Sequence, residues 1–207
     1  MRTAVRSAVV VLGVVALGAG LLRAEPAKPA APAMDPAQQA AMEAMKALGS
    51  PSEGHKALEP LAGTWTYTAQ FWMSPTESPQ SMTGTTVNTV IFGGRFLRQE
   101  ISGQGEGWPA FEGIGFTGYD NIRKQYQTVW FDNMNTSMMR GDGAFDAATN
   151  TLTDEGDFSC PMTGEAHRWY RSAWKVVDPT HTTYESYSKT PEGQEFKSME
   201  IHYTRAQ

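Results

Sequence analysis

The sequence predicts an all-β domain, an antiparallel meander of about 8–10 strands closed into a barrel and preceded by a short helical segment. Three observations carry this. From Thr64 onward, Trp65, Tyr67, Ala69 and Phe71 alternate with Thr64, Thr66, Thr68 and Gln70, the period-two pattern of a strand with one buried face. Further runs rich in Thr, Val and aromatic residues recur to the end of the chain without a helical pattern between them. Between the runs lie Gly93-Gly94, Asp120-Asn121, Thr149-Asn150, Asp178-Pro179 and Glu192-Gly193, residues that tolerate positive φ or preset a turn. Closing such a sheet into a barrel removes its exposed edges.

Taken in order, residues 1–24 read as a secretory signal peptide. Arg2 and Arg6 form a basic start, 8–22 is an uncharged apolar run, and Leu22-Arg23-Ala24 offers a small residue at the cut. A membrane span needs about 20 apolar residues, so an uncleaved anchor is the weaker reading. No Cys lies near the cut, which excludes a lipoprotein anchor. Residues 25–34, with Pro26, Pro29 and Pro32, form an extended Ala/Pro-rich linker.

Residues 35–60 are a helical segment. Asp35 stands at an N-cap, Pro36 at the first helical position and Gln38 where a capping box needs it. Ala41, Met42, Met45 and Leu48 recur at helical spacing and Gly49 stops the helix. Plain packing is the expected role of this Met-bearing face, and docking of a protein partner through 36–48 is the alternative. The barrel domain occupies 61–207. Its strands are expected near 64–73, 81–92, 95–103, 111–119, 125–132, 138–146, 150–158, 166–177, 181–189 and 195–205.

The full sequence carries a formal charge of −5, and residues 1–24 hold three arginines and no acid, so the mature chain is more acidic still. With no basic run, the acidic balance argues against nucleic acid and anionic membrane surfaces as partners, and no stable membrane insertion is expected after signal cleavage. Cys160 is the only cysteine, so no internal disulfide forms and stability rests on packing.

Several blocks together resemble a known family. His55–Tyr67 (HKALEPLAGTWTY), IFGGRFL at 91–97, GWPAFEGIGFTGYDN at 107–121, KQYQTVWFDNM at 124–134 and KSMEIHYTR at 197–205 look like the bacterial proteins grouped as domain of unknown function 1579, over roughly 52–206. The resemblance implies a lipocalin-like (calycin) barrel, often exported, and brings no assigned activity or catalytic residues. Gly63-Thr64-Trp65 at the mouth of the first strand resembles the start of lipocalin folds. Gly63 would allow a close backbone approach and Trp65 would plug one end. An arginine closing over that ring, as lipocalin folds do, is expected from Arg205 first and Arg95 second.

The candidate chemistry is sparse. Gly113-Ile-Gly115-Phe-Thr-Gly118 matches G-x-G-x-x-G literally, but it lies in a strand pattern, where glycines mark close approach by another segment rather than a dinucleotide loop. His55, His167, His181 and His202 show no metal-ligand spacing, so no metal site is expected; Cys160, Met162 and His167 as a copper set is the remote alternative. No cofactor is expected either. Haem through His202 is the minor alternative, and strand parity places that histidine with polar neighbours, away from Met199, Ile201 and Tyr203. No nucleophile elbow occurs.

The expected function is therefore that of an exported barrel, periplasmic or extracellular, holding a small apolar or amphipathic molecule. Tyr67, Phe111, Tyr119, Tyr126, Trp130 and Asp132 form the expected lining. A structural or interaction module without ligand is the second reading. A small-barrel enzyme with Asp132 or Glu100 as acid or base is the third, resting on fold analogy alone.

Overall fold

The computed structural model describes residues 34–207. The expected signal peptide and all but the last residue of the linker lie outside the described residues. Helix α1 (Pro36–Leu48) opens with the expected capping box: the Asp35 side chain accepts from the Gln38 amide at 2.9 Å, and the Gln38 side chain accepts from the Asp35 amide. A short helix α2 (Glu53–Lys56) and a 3₁₀ turn (Glu59–Leu61) lead into the sheet.

Ten strands follow: β1 (Gly63–Phe71), β2 (Gln80–Ile91), β3 (Phe96–Gln104), β4 (Phe111–Asp120), β5 (Gln125–Asp132), β6 (Met139–Asp146), β7 (Thr151–Phe158), β8 (Arg168–Asp178), β9 (His181–Lys189) and β10 (Glu195–Arg205). Each pairs antiparallel with its sequence neighbours, and β1 pairs with β10, so the meander closes into a barrel. Among the described residues, no helix is long and apolar enough to cross a membrane.

Alternation along the strands fills the interior. In β1, Trp65, Tyr67 and Ala69 are buried while the threonines between them are exposed. Two groups of side chains result. Around the middle, Tyr67, Met82, Ile101, Ile201 and Tyr203 pack together. At one end, Leu58 and Leu61 from the helical segment pack on Leu97, Tyr126, Leu152 and Trp174.

That end is sealed by polar contacts to the 3₁₀ turn. The carbonyl of Leu61 accepts from the Trp65 indole at 3.0 Å and from the Asn88 amide at 2.8 Å. Arg205 donates to the carbonyls of Pro60 (2.9 Å) and Ala62 (2.7 Å), and its guanidinium lies 4.0 Å from the centre of the Trp65 ring. The carbonyls that a helix end leaves unpaired are thus satisfied from the barrel rim. Arg95 does not share in this. It sits in the β2–β3 turn and donates to Gly49 and Phe92 carbonyls at 2.8 Å each, so the stacking role falls to Arg205 alone. Arg95 is out of reach because it belongs to the turn that holds the linker after α1.

Packing was the expected role of the methionines of α1, and the structure corrects this. No residue of α1 is buried, and Met42, Met45 and Leu48 are each about half exposed or more. The helix is held at its C-terminal end, where Asn121 donates to the carbonyls of Leu48 and Ser50.

Candidate functional site

The end opposite the helical cap is open. Loops after β1, β3, β5 and β7 carry Met73, Trp108, Met134 and Met162 around the entrance to a cavity of about 370 Å³ inside the barrel. Methionine side chains are unbranched and adaptable, which lets them fill irregular gaps around this entrance.

The strands place four of the six expected lining residues on this cavity: Tyr67, Phe111, Trp130 and Asp132. Trp130 stacks on Phe111 with ring centres 6.3 Å apart. Its indole N–H donates to Asp132 at 2.8 Å, and the other Asp132 oxygen accepts from the Met134 amide at 2.9 Å. Asp132 thus fixes both the ring and the start of the mouth loop. The indole lies across Gly113 and Gly115 of the neighbouring strand, where any Cβ would collide with it. The glycine motif makes room for an aromatic ring and does not form a phosphate loop.

Tyr119 and Tyr126 are not on the cavity. They share its face of the sheet but stand at the capped end, where the Tyr126 hydroxyl donates to Gly54 at 2.5 Å and Tyr119 packs against His55. Parity predicts which face a residue takes, not its height along the barrel. Burial drives the Tyr126 phenol upward, and burial together with the Arg95 charge pulls His55 below its usual value.

The inner wall is unequal in character. Met82, Ile101, Ile201 and Met199 make one side apolar. Across from them Asp154, buried on β7, accepts hydrogen bonds from Tyr170 (2.8 Å), Thr128 (2.9 Å) and Ser172. Sequence reasoning missed this group. Its signal was available in β7, where Leu152, Asp154, Gly156 and Phe158 alternate and an acid falls on the inward face. Burial pushes the phenols of Tyr170, Tyr184 and Tyr203 up, and that of Tyr67 to about 12. Among the described residues, the buried Tyr67 hydroxyl has no hydrogen-bond partner.

The remaining candidates face outward. Glu100 is on the outer surface, 2.7 Å from Arg98, because the inward positions of β3 are Leu97, Gln99 and Ile101. It cannot act on a molecule inside the barrel. His202 is exposed and bonded to Glu200 at 2.8 Å, so its imidazole is not offered to a haem in the cavity. None of the four histidines lines the cavity. His167 pairs with Asp157 at 2.6 Å in the loop that also carries Cys160 and Met162. The thiol of Cys160 is raised by burial, but hydrogen bonds from Thr163 and Met162 and the Arg168 charge outweigh this and lower it.

The described fold is similar to the crystal structure of Rv2717c from M. tuberculosis, at 13% identity and a TM-score of 0.56, covering 76% of this chain and 100% of that one. A redesigned β-barrel is similar at 15% identity and a TM-score of 0.39, covering 76% and 100%. Another redesigned barrel, mFAP1 bound to DFHBI, is similar at 16% identity and a TM-score of 0.35, covering 74% and 100%. The first of these likenesses shows a shared barrel fold. No curated protein matches the sequence. The family model described as "Protein of unknown function (DUF1579)" matches residues 50–205, most of the sequence, and the chain belongs to that family.

Proposed function

We propose that this protein binds one small, mostly apolar or amphipathic molecule inside its barrel and does so outside the cytoplasm. The observation that carries the reading is the cavity itself: about 370 Å³, closed at one end by the cap and open at the other between methionine-bearing loops. Pockets of roughly 300–1,000 Å³ with apolar walls and a few placed polar groups are the usual form of small-molecule sites. Export rests on the basic-then-apolar pattern of residues 1–24. No chemistry is assigned, since both Asp132 oxygens are engaged in holding Trp130 and Met134.

Native mass spectrometry of the protein recovered from the exported fraction tests this directly. A retained small molecule, or saturable one-to-one binding of the neutral dye Nile red, supports the reading. A bare mass together with no saturable dye binding sinks it.

A second reading is favoured by the uncovered face of α1, with Met42, Met45 and Leu48 in solvent. It makes the helix a contact for a protein partner. Such a role is compatible with a loaded barrel and stands alone if the barrel binds nothing.

A further inference from the structure

The cavity has a sign. Asp132 at the mouth and Asp154 within are its only charged lining residues; no Lys, Arg or His among the described residues lines it. Arg168, on the same side of β8 as Tyr170 and Ser172, is engaged elsewhere. It donates to Ser188 at 2.9 Å and pairs with Glu165 at 2.8 Å.

Asp154 is the more telling of the two acids. Its three hydrogen bonds are all made with hydroxyls, those of Tyr170, Thr128 and Ser172. A carboxylate offers about four acceptor positions, so about one is left over. Buried acids are normally paired with a cation, and among the described residues no Lys, Arg or His pairs with Asp154. Ser186 and Tyr184 extend the polar wall beside it, facing the apolar wall of Met82, Ile101 and Ile201. The interior is therefore amphipathic across its width, with its negative charge on one side.

Resting on the reading that the cavity is a ligand site, we propose that its occupant is a cationic amphiphile, an amine whose apolar body lies on the Met82–Ile101–Ile201 wall and whose ammonium meets Asp154. An anionic head of the same length would be held against two carboxylates with no cation to offset them, a like-charge placement that selects strongly against a partner. A neutral alcohol would fill the space and lose only the charge attraction.

Competition against Nile red with decylamine, decanol and decanoate at pH 7.5 tests this. The amine should displace the dye at about one tenth the concentration of the alcohol, with decanoate the weakest of the three. Raising the salt to about 1 M, where the screening length is about 3 Å, should leave that ratio in place, because a buried pair is poorly screened. In Asp154→Asn the amine-to-alcohol ratio should collapse towards one, whereas Glu100→Gln on the outer wall should keep it. Comparing ratios within each variant removes any general weakening. Decanoate competing as well as decylamine, or an amine preference that vanishes in high salt, overturns the proposal while leaving the cavity reading intact. Failure of Nile red to bind saturably overturns both. If Asp154→Asn does not fold, the wild-type panel with its salt series decides alone.

Discussion

Arg205 occupies the space that a side chain on Gly63 would need. Gly63 has φ of 125°, a backbone conformation that L side chains rarely adopt, and a Cβ built there would strike the Arg205 guanidinium. The glycine is thus required twice, once for its backbone and once for the cation that closes over Trp65. Gly63→Ala should cost about 1–3 kcal/mol from backbone strain and a further loss as the arginine is displaced. Gly107, at φ of 76° with open space around it, provides the comparison. Thermal melts should show Gly63→Ala falling further than Gly107→Ala, and equal losses would refute the double requirement.

Trp65 is 1% exposed and joins the cap to the barrel through its indole. Trp65→Ala should cost about 3–5 kcal/mol through lost burial and the void left behind. Against a total of about 5–15 kcal/mol for a domain, this lowers the melting temperature sharply. Chemical denaturation would measure it, and a variant melting within a degree or two of wild type would refute the plug.

The hydroxyl of Tyr67 is buried with no partner among the described residues, and removing an unsatisfied polar group relieves its desolvation cost. Tyr67→Phe should therefore leave stability unchanged or raise it. A loss of more than about 1 kcal/mol in urea unfolding would mean that the hydroxyl has a partner after all.

His55 fastens the cap by accepting from the Ser52 amide at 2.9 Å, which requires a neutral ring nitrogen. Burial first, and the Arg95 charge second, lower its folded-state value below the ordinary 6.5. The unfolded chain therefore takes up the proton first as the medium is acidified. The contribution is complete above about pH 6.5 and is lost as pH falls toward the folded-state value. Between pH 7.5 and 5.5 the wild-type melting temperature should decline more than that of His55→Gln. Parallel curves would remove His55 from the account.

Much of the barrel was legible because alternation and turn chemistry are local. β5, β9 and β10 fall at the expected residues, and β1 starts at Gly63 and ends at Phe71, one and two residues before the bounds read from its pattern. Helix α1 was equally plain from Asp35, Pro36 and Gln38. Its uncovered methionines were not, since spacing shows that a face is apolar but not whether anything packs against it. The site was half legible for a similar reason. Tyr126 and Trp130 share a strand face, yet one reaches the cap and the other the cavity. Asp154 went unread because the local pattern does not announce that Thr128, Tyr170 and Ser172, from two other strands, converge on it.

Trp65 and Arg205 are also direct partners across the β1–β10 seam. Every other pairing in the meander joins consecutive strands, so this seam alone must be closed over nearly the whole length of the domain. Until β10 arrives, the nascent sheet has two raw edges, the state most open to wrong pairing between chains. The contact that plugs the barrel is therefore also a latch on its last folding step. A chain ending before β10 would lack both the latch and the strand that joins the edges, which would then be free to pair with those of its neighbours.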